Sequence, residues 1–246
     1  MQAIGYNGKE LVNFEKDLPA PSKRDLLVEI KAISVNPIDI KVKKTIGAGV
    51  KEPVVLGFDA CGVVVDVGND VSIFNVGDEV FYSGDLSRDG SNTTHQLVDE
   101  RIVGIKPASM TYSEATALPL TSVTAWESLF HRLNITAKDK DKTLLLIGAA
   151  GGVGSIAIQL AKKIVGLKII ATASRSQSKE WCMKMGADIV IPHENLAFQF
   201  KDKKLKSPNY ILCMGNPEDY FEDMADVISP QGSICLLANS SKHLDI

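Results

Sequence analysis

The chain lacks the features that mark membrane-spanning, secreted and nucleic-acid-binding proteins. None of its apolar runs reaches the roughly 18 uninterrupted residues of a transmembrane helix, and its N-terminus has neither the basic nor the apolar region of a secretory signal. Its 27 Lys and Arg against 30 Asp and Glu give a net charge of -3, without the basic stripe that contacts a phosphate backbone. We therefore expect a cytoplasmic protein that binds neither membranes nor nucleic acid.

Cysteine and histidine, the usual zinc ligands, are scarce, with four of each in 246 residues. The cysteines are scattered along the chain: Cys61, Cys182, Cys213 and Cys235. This spacing predicts neither a zinc cluster nor a disulfide framework, and it favours small core residues. Three of the histidines, His131, His193 and His243, have no second ligand at metal spacing, so we expect them to be packed or solvated.

The two halves of the chain differ in pattern. Up to about residue 120 short strand-like runs dominate, such as 26–33 and 62–68, and they predict a compact, strongly bent β domain. Apolar residues at helical spacing then appear over 121–131. We place a domain boundary here, with residues 1–121 in the first domain and residues 122–246 in the second.

Strands and helices alternate in the second domain. The predicted strands are 144–148, 168–173, 188–191, 209–213 and 232–237, and the predicted helices are 152–165, 176–185 and 217–228. This alternation predicts an α/β, Rossmann-type doubly wound parallel sheet, with a ligand crevice where the strand order reverses. Such a sheet usually has six strands and only five are counted, so we expect it to be truncated at its C-terminus.

The most informative motif is the turn Gly148-Ala-Ala-Gly-Gly-Val-Gly154, which lies between a buried strand and a helix. Glycines there permit a sharp turn and a close approach of the backbone to a dinucleotide diphosphate, which the helix N-terminus also attracts. Three glycines alone also occur in ordinary tight turns, but the order strand, turn, helix favours coenzyme binding. The residues expected to bind are Gly148, Ala150, Gly151, Gly152, Val153 and Gly154.

The end of the second strand indicates which coenzyme is used. An acidic residue there would bind the ribose 2′-hydroxyl of NADH, but this chain has Ser174 and Arg175, followed by Lys179. Arg175 can offer a planar charged fork to a 2′-phosphate, Ser174 a hydrogen bond and Lys179 a point charge. The sequence therefore favours NADPH, with the alternative that Arg175 and Lys179 are simply exposed residues at a helix start.

Five ordered motifs carry a resemblance to a known family. They are Ser34-Val-Asn-Pro-Ile-Asp39, Gly57–Gly68, Val76–Val80, Leu118–Trp126 and Gly148–Gly154. Over essentially its whole length the chain resembles the medium-chain dehydrogenase/reductase superfamily, in the quinone oxidoreductase-like branch often labelled zinc-type alcohol dehydrogenase-like. The resemblance implies a GroES-like β-rich catalytic domain before the Rossmann domain.

The resemblance also bears on whether the protein binds a catalytic zinc ion. Zinc-dependent members supply a cysteine, a histidine and a cysteine to a catalytic zinc, and the matching positions here are Asn36, Phe58 and Leu120. None of these side chains can act as a thiolate or imidazole ligand. We therefore expect a zinc-independent protein with no metal site.

Without a Lewis acid, the easier reaction is hydride transfer from NADPH to a quinone or an α,β-unsaturated carbonyl, where hydrogen-bond donors stabilise the distant oxygen. The resemblance points to Asn36 as such a donor and to Thr124 near the nicotinamide, although Thr124 also suits a helical cap or back-bond. Asp39 is a further candidate catalytic residue, although a structural role in orienting the loop is favoured for it. His95 is the histidine to test as a proton donor, against an exposed loop role.

Two further expectations concern partners. The substrate is expected to be a small molecule, and a homodimer is possible but in doubt, because the sheet edge that pairs subunits in relatives depends on the sixth strand. The competing hypothesis is a protein that binds NADPH without turnover, as a sensor, a structural protein or an inactive fragment.

Overall fold

The computed structural model describes residues 1–47 and 50–238, so His243 lies outside the described residues. The chain divides into two compact units, Met1–Leu120 and Thr121–Ile246. Within the described residues, no helix combines the length and apolar character needed to cross a lipid bilayer.

The first unit is built on two antiparallel sheets. Its strands are β1 (Gln2–Tyr6), β2 (Leu11–Glu15), β3 (Asp25–Ser34), β4 (Val54–Val55), β5 (Asp59–Val67), β6 (Glu79–Ser83), β7 (His95–Asp99) and β8 (Val103–Ile105). The smaller sheet has the order β2-β1-β4 and the larger the order β7-β3-β5-β6-β8. The pairing of β3 with β5 shifts register twice, an irregularity of the kind that bends strands.

The core of the first unit is formed largely by alternate side chains of the larger sheet. Leu26, Val28 and Val64 are fully buried there, with Tyr82 almost fully buried. The Tyr82 hydroxyl donates to Gln96 Oε1 at 3.0 Å, which satisfies a polar atom that burial would otherwise make costly. The GroES-like β-rich domain expected from the motifs is confirmed.

Two short helices lie in the segments that follow strands β3 and β8. They are α1 (Pro37–Thr45) and α2 (Tyr112–Ala115). Asp39 lies in the first turn of α1, and its Oδ2 accepts the backbone N–H of Asn36, the residue that precedes the helix, at 2.8 Å. Asn36 caps this helix and Pro37 stands at its first position, where a missing N–H costs nothing.

The second unit is a parallel sheet with helices on its faces. Its elements are α3 (Pro119–Trp126, begun in the first unit), β9 (Thr143–Ile147), α4 (Gly152–Leu160), β10 (Lys168–Thr172), α5 (Ser176–Met185), β11 (Ile189–Ile191), α6 (Leu196–Asp202), β12 (Tyr210–Cys213), α7 (Phe221–Val227) and β13 (Ser233–Leu236). The order β11-β10-β9-β12-β13 is that of a Rossmann-like sheet. Strand order reverses at β9, which places the predicted crevice beside its carboxyl end.

Both faces of this sheet are covered, as the apolar run at its centre requires. Leu144 and Leu146 of β9 pack into one cluster, while Leu145 and Ile147 pack into another on the opposite face. All four are fully buried. A strand buried on both faces loses the alternation of polar and apolar residues, which is why 144–147 is apolar throughout.

Candidate functional site

The glycine turn after β9 has the geometry that the sequence predicted. Gly148 adopts a φ of +80°, in the left-handed region that favours glycine. Its N–H donates to the Thr172 hydroxyl of β10 at 3.0 Å, which ties the turn to the neighbouring strand. Gly151 then caps α4, whose helical residues begin at Gly152. The helix therefore starts directly at the switch point of the sheet.

The glycines of this turn differ in what surrounds them. A Cβ on Gly154 would lie 2.3 Å from the Ala149 carbonyl oxygen, so helix and strand approach too closely for any side chain. A Cβ on Gly152 would lie 2.8 Å from Thr121 Cγ2. At Gly151 the nearest atom would be 3.6 Å away, an ordinary contact. The turn thus leaves open space in front of Gly151, which suits a diphosphate.

A recess of about 410 Å³ lies at this end of the sheet. It is lined by Gly148, Ala150, Gly151, Thr172, Ala173, Ser174, Arg175, Ser178 and His193. No carboxylate is among these lining residues. The recess therefore brings the predicted diphosphate turn together with two of the three residues predicted for a 2′-phosphate, Ser174 and Arg175.

Arg175 lies immediately before the first residue of α5 and is exposed. Within the described part of the chain its guanidinium has no hydrogen bond or ion pair, so its donors are available to a ligand. Lys179 is half-buried and does not line the recess. Ser178 does line it, and sequence reasoning missed this residue although its spacing of three from Arg175 places it on the same helical face.

His193, which the sequence analysis expected to be packed or solvated, also lines the recess. Its Nδ1 lies 2.7 Å from the Thr172 hydroxyl, which also accepts the Gly148 N–H. Burial lowers the pKa of His193, which favours the neutral form of the ring. The expectation of a packed or solvated histidine overlooked this link between the ring and the glycine turn. A lone histidine after β11 offers no spacing from which to find it.

Trp181 of α5 supports the same turn from the side. Its indole N–H donates to the Ser155 hydroxyl at 2.8 Å, and that hydroxyl donates to the Gly151 carbonyl at 2.8 Å. The turn is therefore held both by β10 through Thr172 and by α5 through Trp181.

Thr124 is not brought to this recess. It lines a separate recess of about 420 Å³ with Glu127, Ser128 and Arg132 beside β13. Its carbonyl accepts the Ser128 hydroxyl at 2.7 Å, a back-bond within the helix made by Ser128 and not by Thr124. Its assignment to the nicotinamide remains a prediction.

In the first unit, Asn36 lies in a buried cluster of polar groups. Its side-chain N–H donates to Asp59 Oδ2 at 2.7 Å, and its backbone N–H donates to Asp39 Oδ2 at 2.8 Å. Asp59 is fully buried, while Asn36 and Asp39 are nearly so. Sequence reasoning selected Asn36 and Asp39 but missed Asp59, which is distant in sequence and is brought beside them by the pairing of β3 with β5.

Burial raises the pKa of both carboxyl groups in this cluster. For Asp59, hydrogen bonds from Asn36, Leu120 and Ser34 act in the opposite direction without cancelling the effect. Asp39 has one backbone hydrogen bond from Asn36, and its Oδ1 is buried with no partner among the described residues. Both acids are therefore easier to protonate than exposed aspartates.

His95 does not join this cluster. It begins β7 and pairs across the sheet with Glu29, whereas Ser34 at the cluster lies five residues further along β3. Five residues of strand span roughly 17 Å. Its ring nitrogen contacts the neighbouring Thr94 hydroxyl at 3.2 Å. The structure thus gives no support to His95 as the proton donor beside Asn36.

The described residues contain no group of three His, Cys, Asp or Glu side chains that could hold a metal ion. All four cysteines are free thiols and buried. Of the three positions that match zinc ligands in relatives, Asn36 faces Asp59 and Phe58 is a buried core residue. The zinc independence of the protein stays a prediction.

Family models and relatives agree with this architecture. Residues 22–127 match the alcohol dehydrogenase GroES-like domain, and residues 152–246 match the family described as zinc-binding dehydrogenase. Both matching models describe dehydrogenase domains, which identifies the chain as an oxidoreductase. The chain belongs to the medium-chain dehydrogenase/reductase superfamily, in its zinc-type alcohol dehydrogenase-like branch.

Three similar proteins illustrate the relationship. A zinc-type alcohol dehydrogenase-like protein of Staphylococcus aureus (strain MSSA476) is 44% identical over 95% of this chain and 70% of its own length. A crystal structure of a protein from Rhizobium etli CFN 42, assigned as a zinc-dependent alcohol dehydrogenase, is 43% identical with a TM-score of 0.92, over 98% of this chain and 73% of its own. The 2-methylene-furan-3-one reductase of Solanum lycopersicum is 33% identical over 79% of this chain and 52% of its own length.

Proposed function

We propose that the protein is a zinc-independent reductase that uses NADPH to reduce α,β-unsaturated carbonyl compounds or quinones. The observation that carries the proposal is the recess at the switch point of the parallel sheet. It combines an open glycine turn with Arg175 and contains no carboxylate.

The choice of NADPH follows from charge. A 2′-phosphate carries about two negative charges at neutral pH, and an acidic residue at the end of β10 would repel it. This chain places Ser174, Arg175 and Ser178 there, a guanidinium and two hydroxyls. Arg175 has no competing partner among the described residues, so pairing with the phosphate would not require breaking an existing ion pair.

The proposed substrate class follows from the polar cluster of the first unit. When bound, NADPH would supply a hydride to the substrate. In an enone or a quinone the resulting negative charge develops on an oxygen remote from the carbon that is reduced, and a hydrogen-bond donor stabilises it. Asn36 is the candidate donor, because an amide has two N–H groups and only one is used by Asp59.

The tomato relative supports this substrate class, since its name states that it reduces 2-methylene-furan-3-one, an enone. A saturated aldehyde or ketone poses a harder problem, because the charge develops on the oxygen of the carbon under attack, where a metal ion can stabilise it as a Lewis acid. We therefore expect little activity toward saturated carbonyl compounds.

The test begins with coenzyme binding. Calorimetry on the purified protein is expected to show tighter binding of NADPH than of NADH. Coenzyme consumption is then followed with a panel of enones, quinones and saturated ketones, and mass spectrometry of the products shows whether C=C or C=O was reduced. Activity confined to enones and quinones, and retained after dialysis against a chelator, is the expected result.

Three outcomes contradict the proposal in different ways. Folded protein that binds neither coenzyme refutes the assignment of the recess. Binding of NADPH without turnover of any panel member favours the non-catalytic alternative. Loss of activity on chelation, restored by added zinc, refutes zinc independence.

A further inference from the structure

The buried carboxylate of Asp59 accepts hydrogen bonds from three different residues. Its Oδ1 accepts the backbone N–H of Leu120 at 2.8 Å, in the first turn of α3. Its Oδ2 accepts the Asn36 amide at 2.7 Å and the Ser34 hydroxyl at 3.3 Å. One oxygen therefore holds a helix start, while the other is directed to Asn36.

This arrangement determines how the Asn36 amide is turned. Both Asp59 oxygens accept hydrogen bonds, Oδ1 from the Leu120 N–H and Oδ2 from Asn36 and Ser34, so the Asn36 amide atom that faces Oδ2 is nitrogen. The Asn36 backbone is fixed as well, by its 2.8 Å hydrogen bond to Asp39. The backbone and the side chain of Asn36 are therefore both held. Rotation of its amide by 180° would turn the Asn36 carbonyl oxygen toward the buried Asp59 Oδ2, which is strongly unfavourable.

We propose that Asp59 is the positioning residue of the reductase site, and that its carboxylate fixes the amide orientation in which Asn36 donates to the substrate oxygen. The inference rests on the proposed function for the role of Asn36. It adds a residue that makes no contact with the substrate itself and acts only through Asn36.

A simpler account, in which Asp59 only caps α3, leaves the hydrogen bond to Asn36 unexplained. A cap needs the single bond from Oδ1 to Leu120, which an asparagine side chain can also supply. It does not need the 2.7 Å bond to Asn36 on the second oxygen. The two roles therefore separate experimentally, because only the positioning role depends on Asn36.

The kinetic test is a double-mutant cycle with Asp59→Asn and Asn36→Ala, measured on protein shown to be folded by circular dichroism. Loss of the amide donor is expected to lower kcat about 100-fold. Loss of its orientation by Asp59→Asn is expected to lower kcat about tenfold or more, with KM and NADPH affinity near wild type. In the Asn36→Ala background, Asp59→Asn should have no further effect on kcat.

Ser34→Ala is the matched control, because it removes the weaker bond to the same Oδ2 atom and leaves Asn36 in place. We expect its kcat to be near wild type. Wild-type kcat in folded Asp59→Asn overturns the proposal. Effects of Asp59→Asn and Asn36→Ala that multiply in the double variant overturn it equally, since Asp59 would then act independently.

A second measurement does not require turnover or a folded Asp59→Asn variant. In wild-type protein labelled with ¹⁵N-asparagine, the side-chain amide signals of Asn36 are identified by their absence in Asn36→Ala. Protection of these protons from solvent exchange supports the fixed orientation, and exchange as fast as in an exposed asparagine overturns it. If no panel substrate is reduced, the proposed function fails, while this experiment still reports whether the Asn36 amide is held in place.

Discussion

Replacing Gly151 with valine is expected to abolish coenzyme binding while leaving the fold intact. Gly151 caps α4 with a φ of -76° and a ψ of 177°, an extended conformation that valine adopts readily. The nearest atom to an added Cβ, the Gly148 carbonyl oxygen, is 3.6 Å away. The new side chain would therefore occupy the open space where the diphosphate is proposed to lie.

The size of the effect follows from the bonds that the coenzyme would lose. Each charge-assisted hydrogen bond from a backbone N–H to a phosphate oxygen contributes about 1.5–3 kcal/mol. Loss of two such bonds costs about 3–6 kcal/mol, which corresponds to a decrease in affinity of roughly 10²- to 10⁴-fold. Because the diphosphate is common to both coenzymes, NADH and NADPH should be affected alike.

Gly154→Val provides the contrast, because its Cβ would lie 2.3 Å from the Ala149 carbonyl oxygen. Backbone must shift to relieve this collision, so we expect a loss of stability of about 3 kcal/mol or more and a melting temperature at least about 6 °C lower. Calorimetry and thermal unfolding of both variants test the assignment. Gly151→Val protein that binds NADPH as tightly as wild type would refute the diphosphate site.

Three other predictions concern Arg175, Thr172 and Asp139. Arg175→Ala should lower NADPH affinity about 10- to 100-fold with NADH affinity unchanged, as measured by calorimetry; an equal loss for both coenzymes would contradict the 2′-phosphate assignment. Thr172→Val removes the acceptor of the Gly148 N–H and should lower the free energy of unfolding in urea by about 1–3 kcal/mol, so an unchanged value would contradict this role. Burial alone would raise the pKa of Asp139, but hydrogen bonds from Lys142, Thr136 and Tyr210 outweigh this effect and lower the pKa to about 2. This folded-state pKa lies below the unfolded value of about 3.9, so the ionised Asp139 stabilises the fold above about pH 4, and this stabilisation is lost on acidification toward about pH 2. Urea unfolding at several pH values should therefore show a smaller loss of unfolding free energy over this range in Asp139→Asn than in wild type.

The coenzyme turn was accessible from the sequence because its physical requirements are local. An apolar run at 144–147 implies a strand covered on both faces, and glycines follow where the chain must turn sharply and approach a helix. The absence of an acidic residue near Arg175 is equally local. Each of these features depends on neighbours within about one βαβ unit.

The remaining parts of the site depend on long-range pairing. Asp59 reaches Asn36 only because β3 and β5 pair in a particular register, and His193 reaches the turn only through the Thr172 side chain of another strand. The helix α1 was missed for a different reason, because its lysines give it little apolar periodicity and its signal is confined to the Asn36 cap and Pro37. Single-sequence patterns do not encode such contacts.

Trp181, whose indole N–H donates a hydrogen bond to the Ser155 hydroxyl, can serve as an intrinsic fluorescent probe of the glycine turn. The chain has only two tryptophans, and Trp126 is the other. The tryptophan fluorescence of a Trp126→Phe variant would therefore come from Trp181 alone, whose indole is hydrogen-bonded to the helix that follows the glycine turn. Its fluorescence should respond when a nicotinamide dinucleotide arrives, so titrations can be followed without attaching a dye.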